Sequence, residues 1–375
     1  MSGREPVVIA ARRTPIGTRG GALRDHTVDE LAAPVLRAVV EDIGLDRLGR
    51  VEDVVLGNVF GPGGNPARVA ALRAGLGVDV PGVTVDRQCA SGLAAIVSAA
   101  TQIRAGDADV VLAGGVESAS TAPHRAWPTD PPTPYTRAPF APAEYGDPDM
   151  GPAADVVAAE AGVTRARQDA FAARSHARAV AAQQAGRFDD ELVPVGGLTA
   201  DERPRPGFTV ERLARFPAAF TSDGTATAAN SCGVNDGAAV VAVVSEQVRA
   251  RLGVPGLRLT AAATRAGDPA RLGLGAVPAM RAIVDAGPDV VEFTEAFAGQ
   301  VLACLDAVGL DEHVVSPDGG AIALGHPWGA SGAVLVVRLF TRLVRQGLGG
   351  TGGTGMAALS SGGGIGVATM WTVVQ

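Results

Sequence analysis

Val83-Thr84-Val85-Asp86-Arg87-Gln88-Cys89-Ala90-Ser91-Gly92 is the stretch on which the fold turns. Three β-forming residues lead into a turn, and the turn leads into small residues that open an apolar helix. The thiol of Cys89 then falls at a helix N-terminus, where the dipole and free backbone N–H groups favour a thiolate. Position alone leaves Cys89 open between a reactive thiol and an inert core residue. Ala330-Ser331-Gly332 repeats the tripeptide at the head of a second apolar helix, and further matches keep nearly the same offset. Asp53-Val54-Val55 and Phe60 return as Asp289-Val290-Val291 and Phe297, and Gly114-Gly115 returns as Gly362-Gly363. Ordered matches at a near-constant offset indicate duplication into two like halves.

Around these anchors the first third has a βαβ rhythm: strand-like residues 7–10, 54–58 and 110–114 alternate with helical patterns. Thr27 and Glu30 form a capping box for a helix over 28–43, whose Leu31, Val35, Val39 and Ile43 line one apolar face. Residues 122–152 are dense in proline and read as an irregular excursion, 164–186 as an exposed helix, and 198–220 as further irregular chain. Asn235-Asp236-Gly237 is a turn signal ahead of a strand over 238–244. The expected organisation is an N-terminal half over 1–121, completed by about 235–255, an inserted loop domain over 122–234, and a C-terminal half over 256–375.

Composition narrows the function. A chain of 375 residues with 47% apolar but only 4% aromatic content builds its core from small aliphatic side chains around many glycines. The net charge of −7 offers no basic footprint for nucleic acid. All 32 basic residues are arginine, which excludes a Schiff-base lysine and a lysine-dependent phosphate loop. No signal peptide is expected at the charged residues 1–8, and no apolar run approaches the roughly 20 residues of a membrane span. Cys89, Cys232 and Cys304 have neither disulfide nor metal-ligand spacing, which points to a cytoplasmic protein without a bound metal.

His326 lies in the glycine-lined run 319–332, at the turn equivalent to that of Cys89. It can take a proton from a thiol, or be a packed histidine bonded to a carbonyl; its pseudo-symmetric place favours chemistry. The other histidines offer less. His26, His176 and His313 sit among charged residues and read as solvated, and Cys304 as a small core residue.

Cys89-Ala90-Ser91-Gly92, Gly114-Gly115-Val116-Glu117-Ser118, Asn235-Asp236-Gly237-Ala238, Glu295-Ala296-Phe297-Ala298, the His326 run and Gly362-Gly363-Gly364-Ile365-Gly366 together resemble the motifs of the thiolase family, in thiolase order over essentially the whole chain. The resemblance implies an α/β thiolase fold: two duplicated βαβαβαββ halves in five αβαβα layers, with an inserted loop domain over coenzyme A. It implies a homodimer or homotetramer with no permanently bound cofactor and a coenzyme A thioester as substrate. Cys89 would be the nucleophile, His326 its activator, and the N–H groups of Cys89 and Gly362 the oxyanion hole. Met150, Ser231, Cys232 and Phe297 would line the pantetheine tunnel, and Arg215 would be the nearest basic residue to the adenine end.

Cys232 replaces the family's usual serine and Pro217 a common arginine, but two departures in the site matter more. Ser360 stands where a second cysteine removes an α-proton, and Thr294 where an asparagine holds a water for a second oxyanion hole. A serine hydroxyl is a far weaker acid than a thiol, so carbon deprotonation is compromised while acylation of Cys89 is not. Three functions follow: acyl transfer to a carbon acceptor; a decarboxylative, ketosynthase-like reaction or transfer to a non-CoA acceptor, assisted by Asp318 or His124; and a catalytically reduced subunit that binds coenzyme A or scaffolds a partner.

Overall fold

The computed structural model describes residues 3–284 and 287–375. Met1 and Ser2 of the expected N-terminal half, and Asp285 and Ala286 of the C-terminal half, lie outside the described residues.

Nine strands form a continuous path. From one edge to the other they are Val290–Phe293, Thr354–Ser361, Ile365–Val374, Gly256–Ala266, Pro6–Arg13, Asn235–Ser245, Val110–Ser118, Asp53–Gly57 and Val83–Val85. The two halves meet where Val7 and Val8 pair with Arg258 and Leu257. On either side of that seam the order is the same: two long antiparallel strands, then parallel ones. Among the described residues the second half carries four strands, and a single parallel bridge joins Val291 to Val315 at its edge. Asn235–Ser245 supplies the antiparallel partner of both Pro6–Arg13 and Val110–Ser118, so the chain returns to the first half after its long excursion.

Alternation along the strands generates the layers. In Val110–Ser118, Val111 and Ala113 face a central core while Val110 and Leu112 face the helix Val28–Ile43. In Thr354–Ser361, Ala357 and Leu359 share the central core, and Met356 and Ala358 face outward onto Ala298–Val308. The central core holds the helices Ser91–Ala105 and Trp328–Phe340, whose Leu93, Ile96, Val336 and Val337 are fully enclosed. Glycine is required where these two helices cross. A Cβ on Gly92 would lie 2.8 Å from the Gly329 carbonyl, and one on Gly332 would lie 2.5 Å from the Leu93 nitrogen. The repeated tripeptide is therefore one contact between the halves.

The helix Val28–Ile43 has the expected bounds and cap, with the Thr27 N–H donating to Glu30 at 3.0 Å. Three other expectations are corrected. The helix read as exposed over 164–186 is Arg165–Gln184, and it buries Phe171, Ala172, Ala179 and Ala182 together with Gln168, Asp169, Ser175 and His176. Its inward face looked polar because those polar groups find buried partners; Ser175 donates to Glu295 at 2.6 Å and Asp169 accepts from Asn230 at 3.0 Å. Asn235-Asp236-Gly237 is the start of a strand rather than a turn, held by side chains: Asn235 donates to the Gly17 carbonyl at 2.9 Å, and Asp236 accepts the Ser120 N–H at 3.0 Å. The excursion after residue 122 contains a hairpin of Arg125–Trp127 with Thr133–Tyr135, and a helix begins at Met150.

Candidate active site

Gln88 takes a φ of 50°, a left-handed conformation uncommon outside glycine, so the chain turns sharply between the strand and helix that flank Cys89. Local bonds hold the turn. Ser91 Oγ accepts the Arg87 N–H at 2.8 Å and donates to the Gln88 carbonyl at 2.6 Å. Ser361, from the other half, donates to the Arg87 carbonyl at 2.7 Å. The equivalent serine of the repeat, Ser331, bonds His326 Nδ1 at 2.7 Å. With Nδ1 engaged, Nε2 is the nitrogen left for the cavity. The His326 backbone N–H donates to Asn235 Oδ1 at 2.9 Å, so the side chain misread as a turn former fixes the histidine.

One cavity of about 260 Å³ receives Cys89, His326, Ser360, Gly362, Met150, Ser231, Cys232 and Phe297, with Trp328 and Gln300 completing its wall. Eight of the ten expected site residues therefore converge. Thr294 does not: it is 3% exposed and lines a second, smaller cavity that Ser331 borders. Arg215 is exposed, away from this wall.

Burial changes the electrostatics expected at the helix head. Desolvation pushes the Cys89 thiol up to about 12, with the neighbouring Cys232 adding to it. It also pushes His326 down to about 4. The resting pair is thus a neutral thiol and a neutral imidazole, not the thiolate inferred from the dipole, because loss of water outweighs the partial charges of one helix end. No hydrogen bond joins the two among the described residues. Cys232 is pushed up to about 12 by burial as well, and its N–H donates to the Ala296 carbonyl at 2.9 Å.

Ser360 is tied into the wall. Its hydroxyl donates to the Gly273 carbonyl at 2.6 Å and accepts the Ala276 N–H at 3.0 Å. Cys304 is buried as expected, 4.0 Å from Ser360, and donates to the same carbonyl at 3.2 Å. Gln300 Nε2 also reaches Gly273 at 2.9 Å, while Gln300 Oε1 and Ser231 Oγ have no partner. A Cβ on Gly362 would lie 3.1 Å from the Phe140 ring, so a larger residue there would have to push that ring aside.

The remaining candidates are elsewhere. Asp318 is 1% exposed and bonded to Arg187 and Arg338, each at 2.7 Å, which makes it part of a buried ion network. His124 is exposed and lines an open groove of about 900 Å³ with Trp127 and Tyr135. His176, expected in solvent, is 2% exposed and pushed down to about 4 by burial and by Arg203. Sequence reasoning gave no role to Glu117, which accepts N–H bonds from Phe60 at 3.1 Å and Gly329 at 3.0 Å and so locks the two halves together beside the site. It also missed Ser361. Their signal was available: Glu117 lies within a recognisable glycine motif, and Ser361 precedes the glycine turn.

Residues 6–247 match the thiolase N-terminal domain and residues 255–373 the thiolase C-terminal domain. This chain belongs to the thiolase family. The acetyl-CoA acetyltransferase of Pseudomonas aeruginosa is 41% identical over 96% of this chain and 98% of its own length. The putative acetyl-CoA C-acetyltransferase YhfS of Bacillus subtilis is 40% identical over 98% and 99%. The crystal structure of the Bacillus anthracis acetyl-CoA acetyltransferase superposes with a TM-score of 0.90 at 37% identity, covering 99% of both chains. The α/β architecture with its paired buried helices is accordingly the thiolase fold. Among the described residues no helix is long and apolar enough to cross a membrane.

Proposed function

We propose that this thiolase accepts an acyl group from coenzyme A on Cys89 and passes it to a carbon acceptor, as the named function of its acetyl-CoA acetyltransferase relatives suggests. The observation that carries this reading is the convergence of Cys89, His326 and Gly362 on one cavity. His326 Nε2 takes the thiol proton as sulfur attacks the thioester carbonyl. The tetrahedral oxygen is held by the N–H groups of Cys89 and Gly362, and collapse expels the coenzyme A thiolate, which regains the proton from His326. A histidine kept neutral by burial suits this, since only the uncharged ring can accept the thiol proton. The pantetheine arm would run past Met150, Cys232 and Phe297, where the unpartnered Ser231 hydroxyl supports an amide contact. Arg215 is assigned to the nucleotide end outside the cavity. A cytoplasmic homodimer or homotetramer remains part of this proposal.

A second reading draws on Ser360. Its proton is committed to Gly273 and its lone pair to Ala276, which supports an acceptor that needs no enzymatic α-deprotonation, such as a decarboxylating thioester or a non-CoA nucleophile. Incubation with acetyl-CoA followed by intact-protein mass spectrometry tests the shared first step. Wild type is expected to gain the acetyl mass on Cys89 and Cys89→Ala to lose it; an adduct on the alanine variant removes Cys89 from its role, and a folded wild type with no adduct favours a scaffold.

A further inference from the structure

A second, small cavity of about 20 Å³, enough for one water molecule, lies at Ser331, the partner of His326 Nδ1, and shares no lining residue with the Cys89 cavity. Glu292, Thr294, Ser331 and Arg338 line it. Three polar atoms there are buried without any hydrogen-bond partner: Glu292 Oε1, Thr294 Oγ1 and Arg338 Nε. Their residues are 2%, 3% and 1% exposed, so bulk solvent does not satisfy them. Orphaned groups of this kind, converging on a site of one-water size, are the usual signature of a structural water. Ser331 borders the same cavity while its hydroxyl bonds His326 Nδ1 at 2.7 Å.

We propose that this small cavity holds a single water joining Glu292 to the Ser331 hydroxyl, which makes Glu292 a positioning residue that decides which ring nitrogen of His326 carries the proton. The inference rests on His326 acting at the Cys89 cavity. Arg338 Nε donates to the water and the water donates to Thr294, which leaves one further donor and one further acceptor position. With Glu292 ionised, the water donates to the carboxylate and accepts from Ser331, whose oxygen accepts from Nδ1–H. Nε2 then presents a lone pair and is a base. With Glu292 protonated, every bond in the chain reverses: the carboxyl donates to the water, the water to Ser331, and Ser331 to Nδ1. Nε2 then carries hydrogen and is a donor suited to a developing oxyanion. The water is four-coordinate in both states, so neither state strands a buried group.

The surroundings keep both states accessible. Desolvation raises Glu292 to about 8; Arg338 and Arg342 oppose the rise, while Asp318 and Glu295 add to it. Arg338 is itself committed to Glu191 and Asp318, and Arg342 to Asp318, so neither arginine neutralises Glu292 outright.

Histidine ring nitrogen-15 NMR on the wild-type protein reads the tautomer directly, and Cys89 acylation by acetyl-CoA reads its consequence. His326 is expected to pass from the Nε2–H to the Nδ1–H pattern as pH rises, and the acylation rate to increase roughly tenfold between about pH 7 and about pH 9, following the ionised fraction of a group near 8. Glu292→Gln should abolish the tautomer change and flatten the rate profile. Ser331→Ala, which cuts the relay but leaves Glu292, should do the same and serves if Glu292→Gln does not fold. A wild-type His326 with one tautomer throughout, or the same transition persisting in either variant, overturns the proposal. A tautomer change with acylation indifferent to His326→Ala would instead leave the relay standing and remove the base role on which the mechanism was built.

Discussion

Replacing Ser360 separates its structural role from the chemistry it lacks. The two shortest hydrogen bonds of the hydroxyl run to Gly273 at 2.6 Å and from Ala276 at 3.0 Å, with Gln300 Nε2 a longer third donor at 3.4 Å. Gly273 keeps two other donors, Gln300 and Cys304, whereas the Ala276 N–H loses its acceptor. Taking about 1 kcal/mol for each bond, with the stranded N–H setting the upper end, Ser360→Ala should cost about 2 to 3 kcal/mol. Ser360→Cys should cost less, because sulfur still accepts weakly, and it adds a thiol able to exchange a proton with the α-carbon. Thermal unfolding should therefore rank wild type above Ser360→Cys and that above Ser360→Ala. Thiolysis of acetoacetyl-CoA by free coenzyme A, followed as loss of the substrate's absorbance, should rise only in Ser360→Cys. Adding Thr294→Asn should give no further gain, since residue 294 lines the small cavity at Ser331. An alanine variant as stable as wild type would refute the structural role, and robust wild-type thiolysis would show that another group already supplies the base.

Two further outcomes concern stability. His326 and His176 are both pushed from 6.5 down to about 4 by burial, so each stabilises the fold fully above about pH 6.5 and loses that contribution as pH falls towards about 4, by up to about 3 kcal/mol each. Unfolding midpoints should drop over that window and drop less in a folded His176→Gln; a flat midpoint contradicts the assignment. Arg338→Met leaves Glu191 and Asp318 buried with one fewer cation and should cost about 3 to 5 kcal/mol, read by denaturant unfolding, with an unchanged midpoint as the contrary result.

Sequence alone showed the duplication and named most of the residues that the structure gathers at the candidate site. Ala90-Ser91-Gly92 and Ala330-Ser331-Gly332 are legible because close helix crossing demands small residues in fixed order, and Cys89 and His326 because each sits at the head of one such helix. Strand and helix periodicity is local, so Val28–Ile43 was readable to the residue. What only the tertiary structure decided depends on partners distant in the chain. The Arg165–Gln184 helix is buried because Glu295 and Asn230 satisfy its polar face, and Asn235 extends a strand because Gly17 and His326 take its amide. The charge state of Cys89 belongs to the same class: the helix head could be read from sequence, but the desolvation that outweighs it arises from side chains of the loop domain and the second half, which close around the thiol only in the folded chain.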